Sequence, residues 1–335
     1  SGEGGATYTL TSDDVELTSS TEFSLTLNAA DQLQLAGLLN KNGTSSSGGT
    51  TYNIAAAEDW APGADASTDI ADLTGNAIAV MNVAAPTLTS ASYDASTGAL
   101  TITGTNLPAY PGATNDIDIS KLTITGEGSN TYTLTSDDVA LTSATAFSIT
   151  LNAADQLQLA GLLNKNGTAS SQGTTYNIAA ALNWNPGASS SPADSTGNAV
   201  TVSNVAAPTL STATYNDPTG VLALTGSNLP AYPGASNDID VSKLTITGGS
   251  GSTYTLTTDD VELTSATAAS ITLNSTDQSN LDSLLNKNGT ASTQGTTYNI
   301  AAADDWAPGA DSSTDIADLT GNAITVTGVN NAPVL

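Results

Sequence analysis

Eight aspartates in two copies of one phrase carry the clearest chemistry in this chain. DWAPGADASTDIADLTGN places Asp59, Asp65, Asp69 and Asp72 in one glycine-rich loop, and the phrase returns with Asp305, Asp311, Asp315 and Asp318. Carboxylates on an irregular loop suit a hard cation that takes about six to eight oxygen ligands, so calcium is the cofactor expected here. The middle copy reads NWNPGASSSPADSTGN and keeps one aspartate, Asp194. Metal sites are therefore expected in the first and third copies, with a weak or missing one in the second. The competing reading is solvated aspartate that closes turns. Neither an EF-hand nor a calcium-binding nonapeptide pattern is present.

The same loop holds Trp60, Trp184 and Trp306, each next to a Pro-Gly pair. A tryptophan on a loop either stacks on a ligand such as a sugar ring or covers the end of a core, and its recurrence favours packing. Catalytic chemistry finds little support. Histidine and cysteine are absent, and the paired carboxylates that could act as acid and base sit on repeated loops without an evident cleft. The expectation is a protein that is not an enzyme, and the lack of cysteine excludes disulfides.

Charge excludes further classes. Thirty-two acids against five bases give a net charge of −27. Such a chain repels nucleic acid and anionic lipid, because phosphate contacts need cations. No apolar run reaches the roughly 18 residues that suggest a membrane-spanning helix, so membrane insertion is not expected.

The elements that position these residues are themselves repeated. TYTLTSDD begins at Thr7 and Thr131 and returns as TYTLTTDD at Thr253; LLNKNGT begins at Leu38, Leu162 and Leu284; TTYNIAA begins at Thr50, Thr174 and Thr296. The offsets are 124 and then 122 residues, long enough for each unit to own a core, unlike solenoid repeats of roughly 20–50 residues. The phase divides the chain into an incomplete first unit (1–82) that lacks its early strands, complete units at 83–204 and 205–328, and a linker (329–335) to a following domain. Acids number 11, 8 and 13 in the three segments, the last counted to the chain end.

Within the second unit, short alternating runs predict seven strands: 86–93, 99–105, 122–125, 132–135, 147–151, 176–180 and 198–202. One helix is expected after Asn152, a good N-cap, with Gly167 as its stop. Leu159, Leu162 and Leu163 recur in all copies at i, i+3, i+4 spacing and mark its buried stripe. Leu33 and Leu157 give way to Ser279, which predicts a water-facing position. The expected fold class is all-β: tandem antiparallel Ig-like β-sandwich domains, each with one short helix. Alternating strand direction puts loop 106–120, the turn at Asp137-Asp138 and the Trp184 loop at one pole. The helix and its lysine lie at the other, facing the next unit.

Several phrases resemble a known class. LTITGTNL at Leu100, LALTGSNL at Leu222, and DLTGNAI at Asp72 and Asp318 are similar to the Ig-like repeats of very long secreted bacterial surface proteins, the biofilm and adhesin-type chains often exported by type I secretion. Val329 to Leu335 resembles the start of a cadherin-like repeat. The resemblance implies an extracellular, extension-making segment of an adhesin stalk. Its partners are neighbouring repeats of the same chain, and calcium stiffens the joints. A second expected role, drawn from the incomplete first unit rather than from the resemblance, is a filament of identical chains, each completing the partial first unit of the next by strand addition. A third is an adhesin module that binds surface glycans through its tryptophan loops.

Overall fold

The structure is a computed structural model that describes residues 1–112, 115–232, 234 and 237–329. The part of the cadherin-like resemblance beyond Val329 lies outside the described residues.

Residues 1–82 hold one α-helix, α1 (Ala29–Leu38), with isolated bridges in place of strands. The next unit runs β1 (Thr87–Asp94), β2 (Ala99–Thr105), β3 (Leu122–Thr125), β4 (Thr131–Thr133), β5 (Ala146–Thr150), α2 (Ala153–Leu162), β6 (Asn177–Ala180) and β7 (Ala199–Ser203). The third repeats it as β8 (Thr209–Asn216), β9 (Val221–Ser227), β10 (Leu244–Thr247), β11 (Thr253–Thr255), β12 (Ala268–Thr272), α3 (Ser275–Leu284), β13 (Asn299–Ala302) and β14 (Ala323–Thr327).

Each complete unit forms one curled seven-stranded sheet, in the order β4-β3-β6-β7-β1-β2-β5 and its counterpart. Two separate antiparallel sheets were expected. Instead β1 pairs parallel with β7, and β8 with β14, which joins the two halves through the first strand. The cause is strand count: with odd-numbered strands running one way, the first and last of seven point in the same direction. All other pairings are antiparallel. A register shift between Leu88 and Ser90 marks a bulge that bends β1 as it passes between the halves.

Alternation fills the inside of the curl. Leu100 and Ile102 from β2, Leu122 and Ile124 from β3, Ile178 from β6 and Val200 from β7 are all fully buried. Each such aliphatic side chain contributes about 1.5–3 kcal/mol. The helix stripe Leu159, Leu162 and Leu163 closes the open side.

The recurring phrases now have physical causes. Asn152 caps α2 through its side-chain oxygen, 2.8 Å from the Asp155 amide. Asp155 is fully buried and accepts from Thr135 N and Oγ1, Ser136 N and Oγ, and the Tyr132 hydroxyl. TYTLTS is thus the donor set that satisfies a buried carboxylate in the helix's first turn. Asp31 and Asp277 have the same partners in their own copies. In TTYNIAA, the Tyr176 hydroxyl bridges the Lys165 amide and carbonyl. In LLNKNGT, Asn166 Oδ1 receives the Val205 amide at 2.9 Å and fixes where the chain leaves the unit.

A second expectation is corrected. Leu33 and Leu157 do not face water; they are 5% and 6% exposed. Each belongs to the core of the following unit: Leu33 joins the cluster spanning Leu88 to Val202, and Leu157 the cluster spanning Leu210 to Val326. Ser279 is exposed. Leu33 and Leu157 thus mark a joint between units, and Ser279 holds the same position on α3.

Candidate functional site

The near pole of each complete unit is built from three loops pinned by carboxylates, one of them buried in each unit. In the third unit Asp238, fully buried, draws together the Tyr232 and Leu263 amides. Burial pushes its carboxyl above the usual range, and those two backbone donors oppose the shift. Asp260 Oδ1 accepts the Val241 amide at 3.0 Å. The Trp306 carbonyl accepts the Asp240 amide at 3.0 Å, and Trp306 Nε1 donates to the Ile316 carbonyl at 2.9 Å. The second unit repeats this with Asp116, Asp138 and Trp184. The three loops therefore share one pole, as the strand alternation predicts.

Against this pole sits the helix of the preceding unit. The Ala231 amide donates to the Leu157 carbonyl at 3.2 Å, as Ala109 does to Leu33 at 3.3 Å. A Cβ on Gly37 would overlap the Ala109 carbonyl oxygen, so glycine is what permits the close approach. Asn164 Nδ2 reaches the Ala310 carbonyl at 3.4 Å, and Lys165 Nζ reaches Ser313 Oγ at 3.1 Å. Lys165 Nζ also lies 4.0 Å from Asp311 Oδ1. Beside these contacts a cleft of about 490 Å³ is lined from both units, including Ala95, Ala160, Val205, Pro230 and Asp311.

The eight predicted aspartates sit along the last loop, and each has a local task. Asp65 accepts from Ser67 N and Oγ, and Asp311 from Ser313 N and Oγ, closing the same turn twice. The Ser67 donors hold the Asp65 carboxyl below its ordinary value. Asp69 and Asp315 accept the Ala71 and Ala317 amides. Asp59 and Asp305 both adopt φ 60°, a left-handed turn that the middle copy gives to Asn183 at φ 63°. Aspartate and asparagine enter that region at least cost after glycine. Asp318 joins Asn322 Nδ2 to the Leu210 amide at the start of β8, and Asp194 joins Asn198 to Leu88. Asp72 keeps its asparagine partner, Asn76. Among the described residues no three acidic side chains form a group able to hold a metal ion.

Trp184 and Trp306 are fully buried, whereas Trp60 is 49% exposed and tilts against Phe23 at 6.4 Å. Sequence reasoning missed the buried first-turn aspartates and the joint leucines. A signal for the first was available: Asp31, Asp155 and Asp277 persist while α3 changes around the last of them.

No protein-family model and no curated protein matches the chain. Among solved structures, 11 chains match. One is described as "Biofilm associated protein - BSP domain"; it is 15% identical, with a TM-score of 0.17 over 74% of this chain and 30% of that chain. The match is distant and partial.

Proposed function

We propose that this chain is a structural, extension-making segment of an extracellular bacterial surface or matrix protein, in which β-units dock head to tail into a stiff stalk. The observation that supports this most is Leu157, a helix residue of one unit buried in the core of the next. A joint built like a core resists bending, whereas a polar linker does not. The strand order, with the first strand bridging two halves, supports reading each curled sheet as an Ig-like sandwich. Among the described residues no helix is long and apolar enough to cross a membrane. Small-angle scattering of the purified chain tests the reading: an extended particle with one inter-unit geometry supports it, and an ensemble of bent forms overturns it.

Calcium remains part of the proposal as the counter-ion of the acidic last loops, at Asp59, Asp65, Asp69 and Asp72 and at Asp305, Asp311, Asp315 and Asp318. A raised melting temperature with calcium, reversed by chelator, supports it; an unchanged curve overturns it.

A filament reading draws on residues 1–82. Leu10, Leu17, Phe23, Ile54 and Trp60 are exposed there, while their counterparts Leu134, Leu141, Phe147, Ile178 and Trp184 are buried. Strands supplied by an identical chain would cover that face. Electron microscopy across a concentration series separates filaments from single particles. The glycan reading loses its stacking platforms in the complete units, where both tryptophans are internal.

A further inference from the structure

The three helices share one frame but not one outer face. At the positions that meet the next unit, α1 carries Leu33, Ala36 and Gly37, and α2 carries Leu157, Ala160 and Gly161. In α3 these become Ser279, Asp282 and Ser283. The inner stripe is unchanged, since Leu281, Leu284 and Leu285 stay buried. So is the exit of the chain: Asn288 Oδ1 receives the Val329 amide at 2.9 Å, as Asn166 receives that of Val205. A following unit would start from the same point on every copy. What differs is the surface on which it would land.

We propose that this face selects its neighbour: Leu-Ala-Gly accepts the Leu-Pro-Ala loop of another copy of the unit, and Ser-Asp-Ser refuses it, so the third unit is a terminal cap of the stacked array. The inference rests on the docked joint of the proposed function. Three observations carry it. First, Gly37 leaves no room for a Cβ beneath the Ala109 carbonyl, and Ser283 adds both a Cβ and a hydroxyl at that position. Second, Ser279 has no apolar group to place where Leu157 fills the next core, and its hydroxyl turns back to the Ser275 carbonyl at 2.9 Å. Third, Ala95 and Ala160 line the cleft at the joint, and their counterparts are Asp217 and Asp282. Two carboxylates would be desolvated together by docking, which is costly without a paired cation. Capping repeats with a polar outer face are the general device by which stacked arrays end.

The test adds a second copy of residues 206–329 directly after Val329 of the full chain. The chain has no cysteine, so spin-label pairs placed across the natural joint and across the added joint report only on those sites. The expected result is a narrow distance distribution at the natural joint and a broad one at the added joint. S279L/D282A/S283G, combined with D217A, should narrow the added joint. A narrow added joint with the unchanged α3 face overturns the inference, and so does a broad one that the four substitutions fail to narrow. A reciprocal variant, L157S/A160D/G161S, guards against misfolding of the extended chain: it should broaden the natural joint, and a joint that stays narrow also overturns the inference. A natural joint that is already broad in the unsubstituted chain contradicts the docked-stalk reading itself, which keeps the two failures distinct.

Discussion

The Leu157 carbonyl accepts the Ala231 amide at 3.2 Å, and the Leu157 side chain enters the core of the unit to which Ala231 belongs. One residue thus supplies both a polar and an apolar contact of the joint between two beads. Lys165 and Asp311 supply the only ion pair among the described residues, at 4.0 Å with side chains 40% and 18% exposed.

Magnitudes decide which of these contacts holds the joint. Leu157→Ala should weaken coupling between the units by about 2–3 kcal/mol, the low end of buried leucine truncations. Lys165→Ala should cost no more than about 1 kcal/mol, as expected for a partly exposed pair. Hydrogen exchange at the Ala231 amide checks both. Faster exchange in the leucine variant with little change in the lysine variant is the expected outcome; the reverse order would make the joint electrostatic.

Asp277 is held by hydrogen bonds that outweigh its burial. Burial alone would raise its pKa, yet donors from Thr258, Thr257 and Tyr254 lower it. Glu3 behaves likewise: burial opposes, and donors from Gly48, Ser47 and Asn40 win, bringing it to about 2 from 4.5. A carboxylate with a lowered folded pKa contributes stability above its unfolded pKa and loses it as pH falls through the folded one. Unfolding measured from pH 6 downward should therefore show stability beginning to fall near the ordinary carboxylate pKa, about 4. Asp277→Asn should flatten part of that slope and destabilise the third unit at neutral pH by about 1.5–3 kcal/mol, the scale of a lost charged hydrogen bond. Asp238 works in the opposite direction: its folded pKa is raised by burial, so its contribution is present below the unfolded value and lost as pH rises through the folded one. Asp238→Asn should flatten that opposing slope.

Tryptophan environment separates the complete units from residues 1–82. Trp184 and Trp306 are fully buried and Trp60 is half exposed. Acrylamide should quench about a third of the fluorescence readily, and Trp60→Phe should remove that fraction. If the quenched fraction survives the substitution, a tryptophan of a complete unit is open.

Much of this architecture was legible from residues alone because its signals are local and repeated. β2 and β3 fall where alternation places them, at Ala99–Thr105 and Leu122–Thr125, and α2 begins after its asparagine cap. The shared pole of the three loops follows from strand direction alone. The parallel β1–β7 pair was not legible, because pairing of strands about a hundred residues apart leaves no periodic trace. The role of Leu157 was hidden for a related reason: a leucine beside the helix's own stripe reads as surface until the next unit is in place. The aspartates of the last loop show the converse. Their spacing suggests ligation, while hydrogen bonding within turns accounts for Asp65, Asp69, Asp311 and Asp315 one by one.

A docked joint should hold one angle. Ser148 on β5 and Ser270 on β12 are both exposed and lie on either side of the second joint. Their replacement by cysteine, followed by spin labelling of this otherwise cysteine-free chain, permits a direct distance measurement by pulsed electron resonance. The expected result is a single narrow distribution that broadens when Leu157→Ser is added. A broad distribution in the otherwise unchanged chain would contradict it.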